Sequence, residues 1–158
     1  MKPTIIILAF LTISSFYAYP VSIFYCGFGG DFCGQSTTDD VNPKAKFVIL
    51  AFANPQSDGS VLVDDANFPA DLVKSWQASG KKVLLSIGGQ NGNWPFVFGS
   101  DASVNTFVST MASALDKYGL DGVDLDIENY QATPRTVVNA IKLLRAAIGD
   151  NRIIVVSP

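Results

Sequence analysis

Short apolar runs alternate with amphipathic segments along most of the chain, and this alternation most constrains its fold. The apolar runs predict five strands, at 21–25, 47–52, 82–87, 122–127 and 153–156. Amphipathic segments at about 69–78, 103–118 and 133–148 predict three helices between the later strands. In the third segment Thr133 is the expected cap and Pro134 the first helical residue. Strands that are apolar on both faces and alternate with helices are typical of parallel β/α units. The order β, β, α, β, α, β, α, β therefore indicates an α/β domain.

Two architectures fit this order of elements. One is an open, doubly wound sheet of five strands, and the other is part of a (β/α)8 barrel. A complete barrel takes about 250 residues, whereas this chain has 158. The length favours the open sheet, while the end of the chain at the fifth predicted strand favours an N-terminal barrel portion of about five β/α units.

The composition excludes several classes of function. The chain has 11 basic and 14 acidic side chains, no histidine and a net charge of −3. A nucleic-acid partner is not expected, because such surfaces need clustered Lys and Arg. Without an imidazole, Ser-His-Asp catalysis, Cys-His catalysis and most zinc sites are excluded. Acid–base chemistry must then come from Asp, Glu, Tyr, Lys or Cys.

The N-terminal segment has the pattern of a secretory signal peptide. Lys2 precedes an apolar run at 5–11, and small and polar residues follow up to a predicted cleavage after Ala18. The run is shorter than the roughly 20 residues of a membrane span, so no membrane association is expected after cleavage. The sequence therefore predicts a secreted, extracellular protein with a signal at 1–18 and one domain at 19–158. Outside the cell Cys26 and Cys33 can form a local disulfide, although two unpaired cysteines fit equally well.

The segment 121–128, with the sequence DGVDLDIE, is the most informative part of the chain. Side chains alternate between the two faces of a strand, so Asp124, Asp126 and Glu128 share one face, and their backbone positions lie about 6.6 Å apart. Three neighbouring carboxylates repel one another, so they are expected to share at least one proton at neutral pH. This arrangement is suited to hold a carboxylic acid protonated for general-acid catalysis.

A metal site is the main alternative for these carboxylates. Three oxygen ligands can hold Mg²⁺ or Ca²⁺, and an Asp-x-Asp pair after a strand also occurs in phosphatases that use an aspartyl nucleophile. Such phosphatases need a lysine and further carboxylates in later segments, which this sequence does not place. We therefore expect no metal and no other cofactor.

Two motifs together resemble glycoside hydrolase family 18, the chitinases and their relatives. The segment 121–128 matches the family's DxxDxDxE signature, supported by Asp121 and Gly122, and Ser86-Ile-Gly88-Gly89 matches its SxGG motif. They lie on consecutive predicted strands, as in the family, and the resemblance extends from about residue 25 to residue 158. It implies a (β/α)8 barrel, of which this chain carries the N-terminal portion.

The resemblance also implies roles for the carboxylates. Glu128 is expected to be the general acid/base, at the carboxyl end of its strand where barrel enzymes place their active sites. Asp126 is expected to orient the substrate's N-acetyl group, which attacks the anomeric carbon in this family, and Asp124 to tune Asp126. The implied reaction is retaining hydrolysis of β-1,4-linked N-acetylglucosamine polymers, with chitin or chito-oligosaccharide as the partner.

Five further positions are expected near substrate. The family lines its sugar-binding floor with aromatic residues, and Tyr25 and Phe52 match such places, while Trp94 follows the third predicted strand. Gly88 and Gly89 are expected to let the backbone pass close to the site. For each of these positions, core packing or ordinary loop structure fits the sequence as well as substrate contact does.

The sequence departs from the family in lacking strands six to eight, with a tyrosine and a tryptophan that those strands carry. A five-unit barrel leaves strand edges unpaired. We therefore expect a chain that is marginally stable, self-associates or belongs to a longer protein. An inactive, carbohydrate-binding relative of the chitinases is the alternative function, and Glu128, which such lectins commonly lose, favours the enzyme.

Overall fold

The computed structural model of the chain describes residues 21–26, 41–128 and 133–157, with only the backbone described for residue 21 and residues 23–26. The strands are β1 (Val21–Cys26), β2 (Ala45–Pro55), β3 (Val61–Leu62), β4 (Lys82–Gly88), β5 (Gly122–Asp126) and β6 (Ile153–Ser157). The helices are α1 (Ala70–Ala78), α2 (Trp94–Phe98), α3 (Asp101–Tyr118) and α4 (Pro134–Ile148). All five predicted strands and all three predicted helices are confirmed, whereas β3 and α2 were not predicted.

The sheet has the order β1-β2-β4-β5-β6, and each of these neighbours pairs in parallel. The short β3 pairs antiparallel with the end of β2. A doubly wound sheet reverses its strand order at a switch point, but here the order follows the chain without reversal. The open-sheet alternative is therefore wrong, and the arrangement is that of successive units of a (β/α)8 barrel.

The two faces of the sheet are buried in different ways. The face toward the helices forms one apolar core with the inner sides of α3 and α4, which explains the near-continuous apolar strands. Its central members are Val48, Leu50, Val83, Leu85, Val123, Leu125, Phe107, Met111, Leu115 and Leu144. The opposite face also buries its side chains and carries Ile49, Leu84, Ser86 and Asp124. The buried polar residues Ser86 and Asp124 therefore lie on the face of the sheet that faces the interior of a barrel.

Helix ends follow side-chain capping. The hydroxyl of Ser100 accepts a hydrogen bond from the Ser103 amide, so α3 begins two residues before the predicted Ser103. Thr133 caps α4 in the same way and Pro134 follows it, as the sequence predicts. In the described ranges, no helix is both long enough and apolar enough to cross a membrane.

The last strand, β6, is only partly covered. In the described part of the chain β6 pairs with β5 alone, and Val156 is 39% exposed. On the neighbouring helix α4, Val138 and Leu143 are also exposed. Uncovered apolar edges favour association, so self-association stays a prediction of this structure.

Candidate active site

The three predicted carboxylates follow one face of β5 toward its carboxyl end. Asp124 lies within the strand, Asp126 ends it, and Glu128 follows two residues later. Val123 and Leu125 alternate with them and are buried on the helix side. The strand therefore separates an apolar face from a carboxylate face, as the sequence predicts.

Asp124 is the buried member of the set, with no exposed surface. The hydroxyl of Ser86 on β4 donates to its Oδ2 over 2.7 Å. The hydroxyl of Ser157 on β6 donates to its Oδ1 over 3.0 Å. Both oxygens of this carboxylate thus accept a hydrogen bond from a neighbouring strand, which offsets its burial.

Asp126 is half-buried and lies between the other two carboxylates. Burial raises the pKa of Asp126, and the negative charges of Glu128 and Asp124 raise it further. A side-chain hydrogen bond with Glu128 acts in the same direction. The crowding of the carboxylates thus disfavours the charge of Asp126, and the sharing of a proton at neutral pH stays a prediction.

The backbone at the end of β5 is held from β4 and α2. The carbonyl oxygen of Asp126 accepts hydrogen bonds from the Trp94 indole nitrogen at 2.9 Å and from the Gly89 amide at 3.1 Å. Gly88 pairs in register with Asp126. The carboxyl ends of the two motif strands are therefore joined directly at the position of Asp126.

Three glycines, two at the end of β4 and one at the start of β5, lie where a side chain would not fit. Gly88 has φ +107°, and an added Cβ would lie 2.3 Å from the carbonyl oxygen of Asp126. Gly89 has φ +70°, and its Cβ would lie 2.9 Å from the ring of Phe52. On β5, a Cβ at Gly122 would lie 2.1 Å from the Ile153 carbonyl oxygen. The expected close approach of the backbone at Gly88 and Gly89 is present.

Trp94 is buried in the described part of the chain, which favours core packing over contact with a sugar ring, and its role in substrate binding stays an untested prediction. It begins α2 rather than standing in a loop, and it is 0% exposed. Its ring stacks on Phe98 at 5.3 Å between centroids and meets Phe107 edge-on at 6.2 Å. These contacts agree with the core-packing alternative, since the apolar ring is buried while its N–H donates to the backbone of Asp126.

The remaining substrate-binding predictions concern Tyr25 and Phe52. Phe52 lies in β2, is half-buried and places its ring against Gly89, beside the carboxylate strand. The side chains of Tyr25 and Cys26 lie outside the described residues, as does Cys33. Of the two aromatic residues, Phe52 is thus brought to the site.

Asp121, the first residue of the DxxDxDxE signature, lies at the opposite end of β5. Its carboxylate accepts hydrogen bonds from the Val83 amide at 3.0 Å and from Gln77 at 3.0 Å, and pairs with Lys82 at 2.7 Å. Burial acts to raise the pKa of Asp121, but these donors outweigh it and hold the pKa below its ordinary value. Asp121 therefore joins β5 to the start of β4 and has a structural position.

Ser157 is the member of this site that the sequence predictions lack. It is the polar residue that ends an otherwise apolar strand, Ile153–Ser157. In a parallel sheet this places it beside the carboxyl end of β5, and that was a usable signal. Among the residues that the structure describes, no group of three acidic or cysteine side chains is arranged to hold a metal ion.

Comparison with known proteins agrees with this geometry. Exochitinase 1 of Streptomyces olivaceoviridis is 34% identical over 154 residues, covering 79% of this chain and 25% of that protein. Chitinase 1 of Tulipa saxatilis subsp. bakeri is 32% identical over 131 residues, covering 72% of this chain and 42% of that protein. The crystal structure of a family GH18 chitinase from Chromobacterium violaceum matches with a TM-score of 0.70 at 29% identity, over 89% of this chain and 41% of that one.

The chain spans less than half the length of each of these relatives. The family model described as Glycosyl hydrolases family 18 matches residues 23–157 of this chain, a range that includes both motifs. The chain therefore belongs to glycoside hydrolase family 18.

Proposed function

We propose that the protein to which this chain belongs hydrolyses β-1,4-linked N-acetylglucosamine polymers such as chitin. The observation that carries the proposal is the row of carboxylates Asp124, Asp126 and Glu128, directed along one strand toward the end where barrel enzymes act. The relatives that bear chitinase names support the choice of substrate.

Glu128 is proposed as the general acid/base. It lies at the open end of the carboxylate row and is half-buried, so a bound substrate can reach it. Its hydrogen bond to Asp126 joins it to a group with a raised pKa. A proton held between these two carboxyl groups is in place for transfer to the oxygen of the glycosidic bond.

Asp126 and Asp124 are proposed to assist a substrate-assisted, retaining reaction. The acetamido oxygen of the substrate attacks the anomeric carbon, and positive charge develops on the acetamido nitrogen. Asp126, the carboxylate between Glu128 and Asp124, is proposed to accept a hydrogen bond from that nitrogen. Asp124 is proposed to tune Asp126 from behind, and hydroxyl groups on both sides hold it in place. Water then attacks the anomeric carbon from the face that the leaving group has vacated, gives its proton to Glu128 and breaks the bond to the acetamido oxygen, so configuration is retained.

Fluorophore release from a labelled chitotriose tests the proposal. The parent chain should release the fluorophore, and Glu128→Gln should lose at least about a hundredfold in kcat because it removes the proton donor. Asp150→Asn, which removes an exposed acidic side chain in the turn before β6, is the control and should keep the parent rate. NMR of the first products should show the β-anomer.

Equal rates for the parent and Glu128→Gln would contradict the assignment of Glu128. An initial α-anomer would contradict retention. A folded parent that binds chito-oligosaccharides and releases no fluorophore would instead indicate a carbohydrate-binding protein.

We also propose that the protein is exported and extracellular. The support is the pattern of a short apolar run and small residues before Ala18, which lies outside the described residues. Expression in a secreting host, with N-terminal sequencing of the medium, should give protein that begins at Tyr19. Protein retained in the cell with Met1 intact would contradict export.

A further inference from the structure

Ser157 is fixed at the end of β6 by its backbone and by its side chain. It pairs in register with Asp126, and its carbonyl oxygen accepts a hydrogen bond from the Ile127 amide at 2.7 Å. Its hydroxyl reaches the Oδ1 of Asp124 at 3.0 Å. The hydroxyl is therefore directed along the inner face, from the level of Asp126 toward Asp124.

This hydroxyl donates a hydrogen bond to the carboxylate oxygen of Asp124 that Ser86 does not bond. Ser86 donates to Oδ2, so without Ser157 the Oδ1 of a fully buried carboxylate would lack a donor from these strands. A buried carboxylate strongly favours a hydrogen-bond donor. Asp126 is the next carboxyl group on the same strand face, and in its protonated form it can donate to Asp124. Asp126 would then turn toward Asp124 and away from Glu128.

Few titratable groups bear on Asp126 in the described part of the chain. Asp124 and Glu128, both from its own segment, are the charged groups that act on it. From β4 the residues on this face are Ser86 and Gly88, and from β6 the residue is Ser157, none of which titrates near neutral pH. A change in the titration of Asp126 can thus be traced to its partners on one strand.

We propose that Ser157 is a positioning residue: its hydroxyl keeps Oδ1 of Asp124 occupied, so that Asp126 keeps Glu128 as its hydrogen-bond partner. The consequence for catalysis rests on the proposed function, because it assumes that Asp126 and Glu128 act on substrate. The positioning itself is a property of the free protein and can be measured without substrate.

The test compares Ser157→Ala, Ser157→Cys and Ser157→Thr in the full chain. Carboxyl ¹³C NMR titration without substrate should show a pKa for Asp126 that is higher in Ser157→Ala than in the parent. Protonated Asp126 then donates to Asp124 in place of Glu128, and Asp124 is the more buried acceptor and has lost one of its two donors. With labelled chitotriose, kcat should fall about three- to tenfold, the effect of one lost hydrogen bond, while KM stays within about twofold. Ser157→Thr keeps a hydroxyl and should restore both values.

Ser157→Cys keeps the shape of the side chain and weakens the donor, so it should follow Ser157→Ala even where the alanine variant folds poorly. Ser113→Ala, which removes an exposed hydroxyl on α3, is the control. An unchanged titration of Asp126 in folded Ser157→Cys, or an equal change in Ser157→Thr, would overturn the proposal. A parent without hydrolytic activity whose Asp126 still responds to Ser157→Cys would contradict the proposed function and support the positioning.

Discussion

Replacing Gly88 by alanine tests whether the carboxyl ends of β4 and β5 can pack together only when this residue has no side chain. At φ +107° the new Cβ would lie 2.3 Å from the Asp126 carbonyl oxygen and 2.7 Å from the Trp94 indole nitrogen. These two atoms form the hydrogen bond that holds the end of β5. The substitution therefore separates the strands at the position of the proposed active site.

The expected loss of stability has two parts. A non-glycine residue at this φ costs about 1–3 kcal/mol, and forcing a methyl group into filled space costs about 1–3 kcal/mol more. Together they lower the free energy of unfolding by about 2–6 kcal/mol, against a total of about 5–15 kcal/mol for an ordinary domain. Movement of Asp126 should also lower kcat by at least tenfold.

Gly80→Ala is the matched control for Gly88→Ala. Gly80 has φ +82°, but nothing lies within 4 Å of a Cβ there, so this variant carries the backbone cost without the clash. Both variants also share the effect of alanine on the unfolded chain, which cancels in the comparison. Urea unfolding followed by tryptophan fluorescence gives the two free energies. Equal losses, or a Gly88→Ala variant with the parent kcat, would refute the reasoning.

Three further results are expected. Asp121→Asn should lower the free energy of unfolding by about 1–2 kcal/mol at pH 7, because charged hydrogen bonds are lost. Unfolding measured at decreasing pH should show the stability difference between parent and variant vanishing as pH falls through the lowered pKa of Asp121. Asp126→Asn should lower kcat and raise the melting temperature at neutral pH, because the pKa of Asp126 is raised and its charge is therefore disfavoured in the folded state. The gain in melting temperature should disappear below about pH 4, where the carboxyl is also protonated in the unfolded chain. In analytical ultracentrifugation we expect mass above the monomer that grows with concentration, and a monodisperse, cooperatively melting monomer would contradict self-association through β6.

The predictable parts of the fold are those set by local patterns. Continuous apolar runs placed all five parallel strands, because a parallel strand buried on both faces needs such a run. Thr133 and Pro134 placed the start of α4 to the residue, since capping is decided by neighbours in sequence. The acidic face of β5 followed from the period of two along a strand.

The parts that were missed depend on contacts between distant segments. The helix α2 has only five residues, Trp94–Phe98, too few for an amphipathic period to be visible. It is held by the bond from Trp94 to Asp126, 32 residues later. Residue type alone does not decide whether an aromatic side chain is exposed or buried, so the burial of Trp94 could not be inferred from the sequence. Ser157 acts across the β5–β6 pair: the register places it beside Asp126, whereas its hydroxyl reaches back along the strand to Asp124, and that direction is not visible in the sequence.

The two ends of β5 carry aspartates in opposite electrostatic settings. At the amino end, Asp121 is surrounded by donors that favour its charge and stabilise the fold. At the carboxyl end, Asp126 is held against Glu128 and Asp124, where its charge is disfavoured. A neutral side chain would fit the second position with less strain between charges, so packing does not account for the carboxylate there. A charge held in an unfavourable setting is expected where chemistry requires it, which supports the proposed active site at the carboxyl end of the strand.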